Sequence, residues 1–161
     1  MKMIVALMLG LFSANAAFAD GPLTATLEAH KVVSQADGRE TFASADAARP
    51  HDVIEYRTVY RNVSKSTLRA VAATLPVPNG FVFIAGSAGK NAEASLDGKT
   101  YARVPLTRVV RKDGRDQVVP VPLAEYRFLR WQLGNMPANT TNTVIARMRM
   151  NDEPAVMAAA R

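Results

Sequence analysis

Apolar and polar residues alternate along most of this chain. Leu23, Ala25, Leu27 and Ala29 are separated by Thr24, Thr26 and Glu28. A period of two sends one set of side chains to a buried face and the other to water, so residues 23–33 are predicted as a half-buried β-strand. Residues 52–61 repeat the pattern more strongly. Ile54, Tyr56, Thr58 and Tyr60 fall on one face, Glu55, Arg57, Val59 and Arg61 on the other, and Asn62 closes the run in a turn. Residues 35–49 hold Asp37-Gly38 and many small side chains, and read as turn and loop with a short strand at 40–43.

Further strands are predicted at residues 68–75, 81–84, 126–133 and 143–150. The alanines at 70, 72 and 73 are poor strand formers, so residues 68–75 carry the weakest signal of the set. Pro76-Val77-Pro78-Asn79-Gly80 is a hard stop, because proline cannot donate to a ladder and Asn-Gly suits a tight turn. Two hairpins are expected. One covers residues 92–103 around Asp97-Gly98, and the other has residues 107–110 and 117–121 flanking Lys112-Asp113-Gly114-Arg115. No stretch of ordinary helical length and no internal repeat is found. Short strands at regular spacing with turns between them predict an all-β sandwich.

The first 19 residues stand apart. Met1-Lys2-Met3 precedes an apolar run from Ile4 to Phe12, and Ala17-Phe18-Ala19 has the A-x-A form of a cleavage site. This is the anatomy of a secretory signal peptide, with cleavage expected after Ala19. The apolar run is too short for a membrane span of about 20 residues, and no lipid-anchoring Cys exists. No transmembrane span is expected after leader removal. The expected organisation is a leader at 1–19, an N-terminal strand and loop at 20–49, the main domain at 50–150 and an Ala-rich tail at 151–161.

Composition narrows the chemistry. Of 161 residues 48% are hydrophobic and 21% charged, which is globular rather than disordered. With no Cys, disulfides, thiol catalysis and thiolate metal sites are excluded, and an exported chain without bridges needs a real core. The net charge is +6, and removing Lys2 with the leader takes it to +5. A basic exported protein suits an acidic partner or envelope component, and nucleic acid is not expected in that compartment.

Trp131 shares an inward phase with Leu129 and Leu133, and is expected in the core rather than on a ligand platform. Met148 and Met150, with Met136 and Met157, raise the alternative of a thioether copper site, but Val144, Ala146, Met148 and Met150 form one alternating face that reads as core filler. His51-Asp52 has no nucleophile motif beside it, and Asp52 reads as part of a strand-opening turn. No catalytic, metal or cofactor site is therefore assigned. Arg103, Arg108, Arg111, Lys112 and Arg115 lie within thirteen positions and form the candidate partner-docking segment. Arg57, Arg61, Lys65 and Arg69 line a second corner, and Arg147 and Arg149 fall on the outer phase of the last strand.

Three landmarks carry a family likeness. They are Asp52-Val53-Ile54-Glu55-Tyr56-Arg57-Thr58-Val59-Tyr60-Arg61-Asn62, then Pro76-Val77-Pro78-Asn79-Gly80 followed by Phe81-Val82-Phe83-Ile84-Ala85-Gly86-Ser87, then Leu129-Arg130-Trp131-Gln132-Leu133-Gly134-Asn135-Met136-Pro137 before Val144 to Met150. Over about residues 50–150 the chain resembles the conserved-repeat family of bacterial exported and surface proteins, a domain of unknown function numbered eleven. The resemblance implies an immunoglobulin-like sandwich. The family often forms tandem arrays, whereas this chain has one copy and an insertion-like segment at about residues 88–126, which implies an extra hairpin. The expected role is non-enzymatic contact with a protein or cell-envelope component, in the periplasm or at the cell surface. A periplasmic small-ligand or copper carrier using the Met residues is the alternative.

Overall fold

The computed structural model describes residues 21–151 together with two short N-terminal segments, 4–6 and 16–18. The expected cleavage point after Ala19, Met157 and the tail beyond Asn151 lie outside the described residues. In chain order the strands are β1 (Ile4–Ala6), β2 (Ala16–Phe18), β3 (Leu23–Ser34), β4 (Glu40–Ser44), β5 (Val53–Asn62), β6 (Leu68–Pro76), β7 (Phe81–Phe83), β8 (Glu93–Ser95), β9 (Ala102–Arg103), β10 (Thr107–Lys112), β11 (Arg115–Pro120), β12 (Phe128–Met136) and β13 (Thr141–Met150). Two single 3-10 turns, Ala45–Ala47 and Leu123–Glu125, are the only helical residues among those described. The protein is all-β, as the alternation predicts.

One sheet runs β1-β6-β12-β8-β9, and a second runs β2-β3-β5-β13-β7 with β4 paired to β3. All neighbours are antiparallel except β1 and β6, which run parallel. A third sheet consists of β10 and β11 alone. The inner faces of the two large sheets share one core. Leu23, Ala25, Leu27, Ile54, Tyr56 and Tyr60 enter it from the second sheet, and Val71, Ala73, Leu75, Leu129 and Trp131 from the first. One of the alanines of β6 now has a reason. Ala73 is registered with Trp131, and a residue without a long side chain makes room for the indole. Trp131 is buried as expected, and its Nε1–H donates to the Ala88 carbonyl at 2.9 Å.

Two of the chain's crossings between the sheets form adjacent corners. One joins β5 to β6, and the other joins β12 to β13, while β5 pairs with β13 and β6 with β12. Asn62 ties these corners together. Its Nδ2 group donates to the carbonyls of Ser66 (2.7 Å), Met136 (2.8 Å) and Pro137 (3.0 Å), and its Oδ1 accepts from the Ser64 backbone N–H and hydroxyl. Its own backbone N–H donates to the Thr140 carbonyl. A buried polar side chain is tolerated only when satisfied in this way. The turn predicted at Asn62 is thus a cross-sheet clamp, and its fully enclosed amide is not open to modification.

The insertion-like segment divides into two parts. β8 pairs with β12 and β9 with β8, so residues 93–103 belong to the first sheet. Ala88, Ala92, Ala94, Leu106, Val121 and Tyr126 also line the core. Only the β10–β11 ribbon stands off the body. The hairpin expected around Asp97-Gly98 forms, but its connection spans residues 96–101 rather than a two-residue turn. The Asp97 carboxylate organises it, accepting from the backbone N–H of Thr100 and Lys99 and from the Ser95 hydroxyl, which pulls its pKa down to about 2. The tight turn sits instead at Asp113-Gly114, where both residues have positive φ (51° and 75°), the requirement of a type I′ connection.

Candidate functional site

The β10–β11 ribbon carries four of the five candidate docking residues. Its register pairs Thr107 with Pro120, Arg108 with Val119, Val109 with Val118, Val110 with Gln117, Arg111 with Asp116 and Lys112 with Arg115. Directly opposed residues of an antiparallel pair share a face. One face therefore holds Arg108, Lys112 and Arg115 beside Val110, Val119 and Gln117. The other holds Arg111 and Asp116 beside Val109 and Val118. The cations do not line a single surface, and Arg103 lies apart, exposed on β9 opposite Glu93.

A hairpin of this kind is stable when one face packs on the body or on a partner. Leu106 and Val121 at the root are buried, and Val110 and Val119 are half-buried. Val109 and Val118 are 64% and 70% exposed, and form a cross-strand apolar pair in water. The period-two pattern is present, but no second layer covers their face. The ribbon is held at its root. Val121 N–H donates to the Leu106 carbonyl at 2.9 Å, and Leu106 N–H donates to the buried Tyr126 hydroxyl at 2.7 Å. Tyr126 stacks on Phe83 of the second sheet, with centroids 6.1 Å apart. Arg108 forms an ion pair with Glu125 at 2.7 Å, just beyond the root. Among the described residues no ion pair engages Arg111, Lys112 or Arg115, and the Arg111 guanidinium reaches only the Gly114 carbonyl at 3.4 Å.

The other basic residues singled out from the sequence behave differently. Arg147 is a structural cation. Its Nε donates to Glu55 at 3.0 Å, and its two terminal nitrogens grip both oxygens of Glu40 at 2.9 and 2.7 Å. Arg57 adds a bond to the second oxygen of Glu55 at 3.0 Å. Glu55 was expected on a solvated face, yet it is only 3% exposed, because this network covers it. The paired hydrogen bonds from Arg147 lower the Glu40 pKa, and the same bonds, Glu40 first and Glu55 after it, raise that of Arg147. The signal for this network was the in-register pairing of Arg147 with Glu55, which needs the strand order to be known. On the first sheet Arg130 pairs with Glu93 at 2.8 Å and lies 3.8 Å over the Tyr101 ring. Burial raises the Glu93 pKa, but the hydrogen bonds of Arg130 and Gln132 outweigh it and the net shift is downward.

The remaining candidates fall into the core or the turns. Met136 and Met148 are fully buried, and Met148 is registered with Phe83. Asp52 accepts from the Arg49 N–H at 2.7 Å and from Lys31 at 2.6 Å, which lowers its pKa, the Lys31 bond first, and fixes it in the turn that opens β5. His30 lies 3.5 Å from Glu28 and edge-on to Phe42. Among the described residues no group of three or more His, Asp or Glu side chains could hold a metal ion. None of the helices among them is long and apolar enough to cross a membrane.

These observations define an all-β protein of two largely antiparallel sheets around one core, bearing a projecting basic ribbon. No family model, no curated protein and no solved structure matches the chain significantly.

Proposed function

We propose that this chain is an exported, non-enzymatic module that docks on an acidic protein of the cell envelope through its β10–β11 ribbon. The scaffold in this reading is an immunoglobulin-like sandwich of the conserved-repeat kind, released from its leader after Ala19. One observation carries the proposal: the ribbon projects with Val109 and Val118 in water and with Arg111, Lys112 and Arg115 free of ion pairs among the described residues. A two-stranded hairpin alone is marginal in water, and a further strand or a covered face is what makes such a ribbon stable. The apolar pair has Arg111 and Asp116 beside it on one face, with Lys112 and Arg115 on the other, and this fits a partner with an apolar seat and acidic rim, where rim charges speed association and set its salt dependence.

The carboxylates support a structural rather than a chemical role. Glu40 and Glu55 are engaged by Arg147, Glu93 by Arg130, Glu125 by Arg108 and Asp52 by Lys31. The copper-carrier alternative is weaker, because the thioethers of Met136 and Met148 face the core.

The test places a photo-crosslinking side chain at Val109 in intact cells, with Val63, exposed on the body, as the control position. The proposal expects a discrete protein adduct from position 109 alone, weakened by salt and lost when Arg111, Lys112 and Arg115 are changed to Glu. Those three changes leave the Arg108–Glu125 pair intact. Equal adducts from both positions, lipid adducts only, or an adduct indifferent to the charge reversal would refute it.

A further inference from the structure

The free edge of β6 is the second feature that calls for a partner. β6 pairs with β12 on one side, and on the other only with β1, in the parallel register Ile4 to Ala72, Val5 to Ala73 and Ala6 to Thr74. The leader therefore occupies the β6 edge in the full chain. Removing it leaves the backbone N–H and C=O groups on that side of β6 without a strand. Natural sheet edges are blunted by charge, proline, bulges or shortness. β6 has such devices only at its ends, with Arg69 and the positive-φ Ala70 at one and Pro76 at the other. The stretch between them, Val71-Ala72-Ala73-Thr74-Leu75, has none.

That stretch is also dry. With β1 in place all five residues are buried, on both faces of the strand. Strands enclosed on both faces are characteristic of parallel pairing, and an unpaired backbone group in such surroundings is costly. Thr74 adds a second, independent sign. It is 5% exposed, and its hydroxyl has no hydrogen-bond partner of ordinary geometry, although Tyr101 lies nearby. A buried hydroxyl served only loosely by Tyr101, at the position registered with Ala6, fits a strand that brings a polar side chain there, since Thr–Ser and Thr–Thr neighbours bond across strands.

We infer that the β6 edge is a strand-acceptor site. Ile4–Ala6 fills it in the full chain. After leader removal, which rests on the export reading above, it takes an extended apolar strand of a partner polypeptide running parallel to β6, with Ser or Thr opposite Thr74. Main-chain bonds supply affinity in this mode, and alternate side chains supply specificity. The leader is then a resident placeholder, and its removal opens the site.

Amide hydrogen exchange on the full chain tests this without reference to export. Proline at position 5 cannot continue the β1 ladder. Val5→Pro should speed exchange at the amides of residues 71–75 that face away from β12 by about tenfold or more, leaving β5 and β13 unchanged. A synthetic peptide of residues 2–9 should restore protection, its Ala6→Ser form at lower concentration, and its Val5→Pro form not at all. Unchanged exchange in Val5→Pro, or a failure of the peptide to restore protection, would overturn the site. Protection regained by dimerisation of Val5→Pro would overturn the occupant, since a second copy would then fill the edge. Should Val5→Pro unfold throughout, the exported protein gives the same readout: slowing by the peptide supports the site, and no slowing refutes it.

Discussion

The body and the ribbon of this protein are both antiparallel β-structure, yet they are held by opposite means. In the body, β5 meets β13 and β6 meets β12 across more than fifty residues of sequence, and Asn62 fastens the two crossings from 74 and 75 positions away. Stability there comes from distant segments agreeing on one core. In the ribbon, β10 and β11 are joined by a two-residue turn, and every pair is local. The ribbon shares nothing with the core beyond its root at Leu106, Val121 and Tyr126. Local pairing is cheap to close in entropy but buries little. The body can afford to be specific about itself, whereas the ribbon is left with apolar and cationic surface to be specific about something else.

The largest expected effect is at high pH. Burial pushes the Tyr56 and Tyr60 hydroxyls up to about 12, so the unfolded chain loses these protons first, near pH 10. The unfolded state then holds fewer protons than the native one, and stability falls as pH rises from about 10 and levels off near 12. Two such groups are worth on the order of 5 kcal/mol at full ionisation. Denaturant melts at pH 9 and pH 12 should show the loss, and Tyr56→Phe should remove about half of it.

Trp131→Ala should cost about 3–5 kcal/mol in denaturant melts, the range for large aromatic truncations in a core. A loss below about 1 kcal/mol would place the indole outside the packing that holds the two sheets together. Asn62→Ala should come next, at about 3 kcal/mol, because three carbonyls at the sheet crossings lose their donor together. Arg147→Met leaves Glu55 with Arg57 alone, and about 2 kcal/mol is expected, less than for a fully enclosed pair because the guanidinium is partly exposed. Changes in the ribbon should lie at the other extreme. Val109→Thr and Val118→Thr together should shift stability by no more than about 0.5 kcal/mol each.

The same contrast explains what could be read from the sequence. The alternation of Ile54, Tyr56, Thr58 and Tyr60 and the Asp113-Gly114 turn are local signals, and both located their elements within a residue or two. The inward phase of Trp131 was legible for the same reason. Partnership between strands was not, because strand order depends on contacts far apart in the chain. Hence Glu55 reads as a surface acid until β13 brings Arg147 beside it. Residues 93–103 read as an insertion until β8 joins β12. Val109 and Val118 follow the pattern of a half-buried strand, and only the absence of a covering layer in the structure makes them a surface. Of the five docking candidates, Arg103 falls on β9, and the two faces of the ribbon divide the other four.

The account turns on the ribbon being dispensable to the fold and necessary to the role. Replacing residues 107–120 with Asn-Gly would join Leu106 to Val121 directly, across the hydrogen bond that already links them. Urea melts of this variant, beside adduct formation from a crosslinking side chain placed at the new turn, measure both halves at once. The account predicts a stability within about 1 kcal/mol of the parent, the limit expected for an element that buries little, with the adduct abolished. A variant that unfolds, or one that still captures the same partner, would contradict it.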